Sequence, residues 1–122
     1  MPNTDWQRLK KRTEFLTVQK QGQAVKLPAF VVLYKPSASH VNRVGFTATK
    51  RIIGNAVRRN RAKRRMRSLV EITLKKACLT QNQPVDMVLI ARSYILQRNF
   101  DTMAQELTKA LIEQGFECEN NG

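Results

Sequence analysis

An eighteen-residue stretch near the middle of the chain carries nine lysines and arginines and no acid. It runs from Lys50 to Arg67, and most of its charges fall on one expected helix. Positive charges three and four residues apart on a helix repel, at about 0.2–0.5 kcal/mol for each pair. A helix that only had to fold would be expected to intersperse glutamates. A solvated helix face is one interpretation of this run, but a helix whose charge is neutralised by a bound polyanion fits it better. The favoured polyanion is nucleic acid.

The charge is divided unevenly along the 122 residues. Residues 1–76 hold 19 lysines and arginines against three acids, whereas residues 77–122 hold three against six. Anion binding is therefore expected from the first two-thirds of the chain, with the remainder as scaffold. The length fits one domain. We predict a single RNA-binding domain over residues 8–115, between flexible tails at 1–7 and 116–122.

Cysteine usage and hydropathy indicate a reduced, intracellular protein. Cys78 and Cys118 lie far apart, with no CxxC motif and only one histidine, His40, which is expected at the surface. This pattern argues against a zinc site, and it favours free thiols over a disulfide. No N-terminal apolar stretch resembles a signal peptide, and no run approaches the roughly 20 apolar residues of a membrane span. We expect a soluble, cytoplasmic protein.

The first part of the chain is expected to form a helix and then strands. A short helix is predicted over about residues 13–20, with Thr13 as N-cap and Gly22 as the stop. A short edge piece precedes Pro28, and the main strand follows over residues 30–34. A further strand is predicted over residues 41–49.

The basic run continues into a long helix, predicted over about residues 56–77. Arg59 lies over its apolar stripe, so this arginine could be structural or could bind RNA. Gly54-Asn55, before the helix, could be a phosphate-cradling turn, but a strand-to-helix bend is favoured. The stripe that should face the core comprises Ala62, Met66, Leu69, Val70, Thr73 and Ala77.

The last third is expected to complete the sheet and to add one helix. Residues 85–91 are apolar except for Asp86, which predicts a central strand buried on both faces. Asn99 or Asp101 can cap the final helix, and Gly115 can end it. The element order predicts a small α+β sandwich, one sheet with helices against it.

The aromatic residues allow two interpretations. Phe15, Phe30 and Tyr34 could form a platform for unstacked bases, or they could belong to the core. Tyr34 lies at a strand end beside Lys35 and is favoured as a ligand contact, whereas Phe46 is expected in the core. No paired-carboxylate, Ser-His-Asp or Cys-His set is present in the sequence pattern. The chain is therefore not expected to supply the catalytic groups of a reaction.

Several segments together resemble the signature of the bacterial ribonuclease P protein component. They are Arg8-Leu9-Lys10-Lys11 with Phe15 and Gly22, Arg43-Val44-Gly45-Phe46, Thr49-Lys50-Arg51, and Gly54 through Arg59-Asn60-Arg61 to Arg67. The resemblance covers about residues 8–112. It implies a two-layer αβββαβα sandwich with a left-handed βαβ crossover that carries the basic helix. It departs from the family at Gln19, where many members carry an aromatic residue, and at Ile52-Ile53, which is one residue longer than usual.

The resemblance also implies a function and residue roles. The chain would be the small subunit of a ribonucleoprotein that removes the 5′ leader from precursor tRNA. The partner ribonuclease P RNA would perform the Mg²⁺-dependent hydrolysis, so no cofactor, membrane or dedicated protein partner is expected for the chain itself. Binding of that RNA would involve Lys50, Arg51, Arg58, Arg59, Asn60, Arg61, Lys63, Arg64, Arg65 and Arg67. The leader cleft between the first helix and the sheet would involve Arg12, Phe15, Val32, Tyr34 and Thr47.

Three other functions share parts of the pattern. A non-catalytic RNA-binding module, such as a ribosomal or assembly protein, would share the charge asymmetry but would not need an aromatic cleft. A DNA-binding protein is disfavoured because no helix-turn-helix pair accompanies the basic helix. A membrane-surface helix is disfavoured because the apolar stripe contains small residues instead of Trp and Phe.

Overall fold

A computed structural model describes residues 6–76 and 79–118. It contains a five-stranded sheet, whose strands are β1 (Trp6–Arg8), β2 (Gln23–Lys26), β3 (Phe30–Pro36), β4 (Asn42–Thr47) and β6 (Val85–Ala91). Their order across the sheet is β1-β4-β6-β3-β2. Strand β6 pairs in parallel with β4 and antiparallel with β3, so it is central, as predicted.

Helices connect these strands in the predicted order, which confirms the α+β class. The helices are α1 (Arg12–Gln21), α2 (Lys50–Ile53), α3 (Ala56–Val70) and α4 (Phe100–Glu113). A π-helical turn, Glu71–Lys76, follows α3, and a 3₁₀ turn, Ser93–Leu96, precedes α4. Strands β5 (Leu79–Thr80) and β7 (Glu117–Cys118) form a separate two-stranded ribbon. Because β4 and β6 are parallel neighbours, the basic helix lies in the crossover that connects them. The left-handedness of this crossover stays a prediction.

The two faces of the sheet are covered by different helices. Side chains of α3 and α4 pack on one face against Phe30, Met87 and Leu89, which are fully buried. Five residues of the predicted apolar stripe are buried there, which confirms it over α3 and the start of the π-helical turn: Ala62, Met66, Leu69, Val70 and Thr73. On the opposite face, α1 packs over a smaller cluster of Leu9, Val18, Leu33 and Val88. Helices α3 and α4 therefore cover one face of the sheet, and α1 covers part of the opposite face.

The predicted tails are too long at both ends. Trp6 and Gln7, assigned to the tail 1–7, instead belong to strand β1, which pairs in parallel with β4. Three residues are too few to show the period-two pattern of a strand, which explains the miss. Phe116, also assigned to a tail, is 1% exposed and packs in the main core. The rest of the tails, with Ala77 and Cys78, lies outside the described residues.

The predicted helix ends differ from the structure by a few residues. Thr13 is not the N-cap of α1, because the chain enters the helix at Lys11, whose N–H donates to Glu14 Oε1 at 3.1 Å. Gly22 does end α1, as predicted, and its N–H donates to the Val18 carbonyl. A Cβ at Gly22 would lie 2.5 Å from that oxygen, so the position requires glycine. Asn99 caps α4 and accepts the Thr102 N–H at 3.0 Å. The helix predicted over residues 56–77 changes from α to π geometry after Val70.

Candidate nucleic-acid interface

The basic helix starts from a bend that two side chains cap. Thr49 Oγ1 accepts the Ile52 N–H at 3.2 Å, which starts the short helix α2 that sequence analysis missed. Gly54 then adopts a φ of 114°, a region that favours glycine. Asn55 Oδ1 accepts the Arg58 N–H at 3.0 Å and caps α3. Gly54-Asn55 is therefore a bend, but it joins α2 to α3, and the strand-to-helix bend that the sequence favoured is corrected to a helix-to-helix bend.

The burial of the apolar stripe leaves most cations of α2 and α3 exposed. Their segment contains no acid, so no carboxylate within it offsets the charge. Arg58 is exposed but also braces the bend, because its Nε donates to the Ile53 carbonyl at 2.9 Å. We call this the basic surface, and it comprises the exposed residues Lys50, Arg51, Arg58, Asn60, Arg61, Arg64 and Arg67.

Three further cations of the predicted RNA-binding set are half-buried, namely Arg59, Lys63 and Arg65. Arg65 turns towards α4, where its guanidinium lies 5.9 Å from the centre of the Phe100 ring and donates to the Arg98 carbonyl. Burial, and then the charge of Arg61, lower the pKa of Arg65. The Arg65 head group therefore helps to pack α3 against α4, and its contact with RNA stays a prediction.

A cleft lies on the other side of the sheet, beside α1. The half-buried Phe15 ring rests on Gly45 of β4, so closely that a Cβ at Gly45 would lie 2.4 Å from two ring carbons. Gly45 thus provides the space for the ring. We call the adjoining cavity of about 340 Å³ the α1 cleft; it is lined by Lys10, Arg12, Phe15, Leu16, Gln19 and Thr47. Three of the five residues predicted for the leader cleft, Arg12, Phe15 and Thr47, therefore meet here.

The other two predicted cleft residues, Val32 and Tyr34, lie on the wrong face of the sheet. Val32 is fully buried under α3 and α4, and Tyr34 is 6% exposed in the same core. The Tyr34 hydroxyl lies 2.7 Å from Gln114 Oε1, its ring meets Phe116 edge-on, and burial raises its pKa. Neither residue can line the cleft.

The residues that face α1 from β3 are one position away. Val31 and Leu33 pack with Phe15 in the smaller apolar cluster, as does Ile90 of β6. Successive side chains of a strand point to opposite faces, so a shift of one residue exchanges the core for the cleft. Phe30 and Phe46 also belong to the main core, which confirms the expectation for Phe46 and removes Phe30 from the proposed aromatic platform.

An ionic cluster holds α1 against the sheet. The Arg43 guanidinium donates to both oxygens of Asp86, at 2.8 and 2.7 Å, and also to Glu14 Oε2. Hydrogen bonds to Asp86 are the main cause of the raised pKa of Arg43, and the Lys11 backbone is the main cause of the lowered pKa of Glu14. Bidentate pairs of this kind fix orientation as well as charge. The cluster therefore sets the position of α1, and with it the α1 cleft.

Two classes of site are not found in the part of the chain that the structure describes. No helix there is long and apolar enough to cross a membrane. Likewise, no group of three or more His, Cys, Asp or Glu side chains within those residues could hold a metal ion.

Comparison with known proteins identifies the family. The family model described as Ribonuclease P matches residues 4–114. The chain belongs to the ribonuclease P protein family. It is 39% identical over 109 residues to the ribonuclease P protein component of Gluconacetobacter diazotrophicus, covering 88% of this chain and 90% of that protein. It is 40% identical over 103 residues to that of Erythrobacter litoralis, covering 84% and 81%.

Solved structures of ribonuclease P proteins share the fold. The Staphylococcus aureus protein superposes with a TM-score of 0.71 at 26% identity, covering 93% of this chain and 97% of that one. The Thermotoga maritima protein superposes with a TM-score of 0.70 at 27% identity, covering 88% and 96%. Family membership makes this chain the protein component of a ribonucleoprotein endoribonuclease, with the ribonuclease P RNA as its partner.

Sequence analysis missed several residues that shape the site of this ribonuclease P protein. The ionic cluster had one visible signal, the single acid Asp86 within an apolar strand, because a buried charge needs a partner. The partner could not be read from the sequence, since Arg43 and Glu14 are distant along the chain. Gly45 gave no signal of its own, because its role depends on a ring carried by another element.

Proposed function

We propose that this subunit binds two RNAs with the two sides of its sheet. The basic surface binds the ribonuclease P RNA, and the α1 cleft holds the single-stranded 5′ leader of precursor tRNA. The observation that carries this proposal is the separation of the exposed, acid-free cations of α3 from a half-apolar cleft on the opposite face of the sheet. Structured RNA is bound largely through phosphates, and single strands are bound through exposed base faces, so each side suits one RNA.

The chemistry of each side supports this division. Arginine predominates on the basic surface, and its planar guanidinium binds phosphate oxygens in pairs. In the α1 cleft, Phe15 lines the same cavity as the cations Lys10 and Arg12. Aromatic side chains flanked by cations are the common platform for unstacked bases. Gln19 adds an amide that can hydrogen-bond a base edge.

Hydrolysis is assigned to the RNA partner, with magnesium bound by RNA. Mg²⁺ prefers oxygen ligands such as carboxylates. The carboxylates nearest the α1 cleft do not fit this role, because Glu14 and Asp86 both accept hydrogen bonds from Arg43. The protein would therefore assist by holding RNA and leader, while the metal supplies its chemistry on the RNA. We expect this to occur in the cytoplasm, without a membrane or a dedicated protein partner.

Cleavage of a precursor tRNA at low magnesium tests the proposal. A bacterial ribonuclease P RNA is assayed with and without this protein, and the protein is also assayed alone. Rescue by the protein, with no cleavage by the protein alone, is the expected result. Tight, salt-sensitive RNA binding without rescue would contradict it and would favour a non-catalytic RNA-binding module.

A matched pair of charge reversals tests the basic surface. Arg61→Glu should weaken binding of the ribonuclease P RNA, whereas Lys109→Glu makes the same change in net charge on the exposed side of α4. Equal losses in the two variants would show that overall charge, and not the basic surface, governs binding.

A further inference from the structure

One acid lies beside the α1 cleft, in a part of the chain that contains very few acids. Residues 1–76 carry three, Asp5, Glu14 and Glu71, against 19 lysines and arginines. Glu14 directly precedes Phe15, which lines the α1 cleft. A carboxylate next to an RNA strand repels its phosphates, and this repulsion acts over a Debye length of about 8 Å at physiological ionic strength. An acid at this position therefore opposes RNA binding unless it performs another task.

The Glu14 carboxylate joins two elements of the fold, one with each oxygen. Its Oε1 accepts the Lys11 N–H at 3.1 Å, at the start of α1. Its Oε2 accepts a hydrogen bond from Arg43 of β4. Two further donors of Arg43 bind Asp86 of β6 at 2.8 and 2.7 Å, and the two residues are direct neighbours in the parallel pairing of these strands. The sheet therefore orients the guanidinium, and the guanidinium holds the start of α1.

The side chains that hold α1 on the sheet lie at three positions. Of its ten side chains, Glu14, Phe15 and Val18 are shielded from solvent. Val18 is fully buried but belongs to the C-terminal half of the helix, so this apolar anchor is remote from the helix start. Phe15 is half-buried and itself lines the cleft. The link from Glu14 to Arg43 is therefore the contact, besides the ring itself, that fixes how the first turn of α1 lies over the sheet.

We propose that Glu14 and Arg43 are positioning residues for the 5′ leader. The inference rests on the proposed function of the α1 cleft and extends it to two residues that are not among the described residues lining that cavity. Their ion pair holds Phe15 in place over Gly45 and so forms the cleft before RNA binds. A site formed in advance avoids the free-energy cost of ordering its side chains during binding. This benefit outweighs the repulsion between Glu14 and the leader phosphates.

The proposal and simple electrostatics predict opposite effects for Glu14→Gln. The substitution removes a negative charge beside the cleft, so Coulomb attraction alone would strengthen binding of the leader. The glutamine carbonyl oxygen can still accept the Lys11 N–H, but its amide nitrogen is a donor and cannot accept the hydrogen bond from Arg43. The helix start then stays capped while its link to the sheet is lost. Leader binding should therefore weaken, although the charge has become more favourable.

The affinity ratio between precursor tRNA and mature tRNA isolates the leader. It is measured for the holoenzyme assembled with a ribonuclease P RNA, because losses in folding or assembly affect both affinities and cancel. Glu14→Gln should lower the ratio by about three- to tenfold, since a displaced ring keeps part of one base contact. Arg43→Lys keeps the charge but lacks the planar fork that binds two carboxylates, and it should lower the ratio by a similar factor. The double variant should lose no more than the weaker single variant, because both changes break one link.

Glu113→Gln is the matched control, because it makes the same change in charge on the exposed side of α4 and should keep the wild-type ratio. An unchanged or higher ratio in Glu14→Gln, in a holoenzyme whose wild type prefers the precursor, would overturn the positioning role and leave the proposed function intact. A double variant whose loss is the product of the single losses would overturn it as well, since the two residues would then act independently. A wild-type ratio that does not depend on the leader would overturn leader binding itself, and the positioning role with it.

Discussion

Replacement of Gly45 by alanine tests the geometry of the α1 cleft. A Cβ at this position would lie 2.4 Å from both Cε2 and Cζ of Phe15. Carbon atoms in contact prefer about 3.5–4.0 Å, so the ring would have to move by about 1 Å or more. Positive φ values occur, within the described residues, at Gly54 and Gly115. Because Gly45 has ordinary strand geometry, the ring and not the backbone requires glycine there.

The structure predicts the direction and the size of the change in the free energy of unfolding that Gly45→Ala causes. Overpacking of a filled site costs about 1–3 kcal/mol. The reduced entropy of the unfolded chain returns about 0.5–1 kcal/mol when alanine replaces glycine in a strand. Gly45→Ala should therefore lower the free energy of unfolding by about 1–2 kcal/mol. In a Phe15→Ala background the ring is absent, so the same change should be neutral or slightly stabilising.

Urea denaturation of the wild type, both single variants and the double variant measures this coupling. Sites that do not touch usually add within about 0.3–0.5 kcal/mol, and the expected coupling exceeds that limit. Gly22→Ala is the control, because its Cβ would meet the Val18 carbonyl oxygen at 2.5 Å and not the Phe15 ring. An equal cost of Gly45→Ala with and without the Phe15 ring would refute the contact. Both single variants should also weaken leader-dependent binding, since each displaces or removes the ring.

Three further predictions follow from the charged residues. Arg61→Gln should reduce the slope of log affinity for ribonuclease P RNA against log salt by about one, whereas Lys109→Gln should leave the slope unchanged. Arg65→Gln should lower the free energy of unfolding by about 1–2 kcal/mol, through the lost contacts with α4, whereas the exposed Arg64→Gln should change it by less than about 0.5 kcal/mol in denaturation. Folding lowers the pKa of Glu14 from 4.5, so the stabilising contribution of its carboxylate is present above pH 4.5 and is lost as the pH falls below that value. Glu14→Gln should therefore flatten the curve of unfolding free energy against pH below 4.5, as measured by denaturation at a series of pH values.

The features that sequence patterns predicted correctly are those fixed by neighbours along the chain. The stripe of α3 and the burial of β6 depend on local periodicity, and the basic surface follows from the stripe, because cations opposite a buried face must be exposed. Arg65 shows the limit of that reasoning. It lies on a flank of the helix, and α4, which comes from a distant part of the chain, covers that flank.

The error at Val32 and Tyr34 has a simple physical origin. A strand alternates its faces at every residue, so an assignment that is one position out of register selects the opposite side of the sheet. Both faces of β3 are apolar here, since Val31 and Leu33 face α1 while Val32 and Tyr34 face α3 and α4. With no polar side to mark the solvent, the sequence of β3 could not tell the cleft from the core.

The few acids near the RNA-binding sides are committed to other partners, and this explains why the charge remains uncompensated. Glu14 and Asp86 neutralise Arg43 within the sheet and not the exposed arginines of α3. Exposed pairs such as Arg61 with Arg64, and Arg64 with Arg67, each cost about 0.2–0.5 kcal/mol in the free protein. RNA phosphates relieve this repulsion when they bind, whereas added salt relieves it by screening and competes with the phosphates. Added salt therefore should raise the stability of the free protein and lower its affinity for RNA. A chain stabilised by its own ion pairs on α3 would not show this opposition.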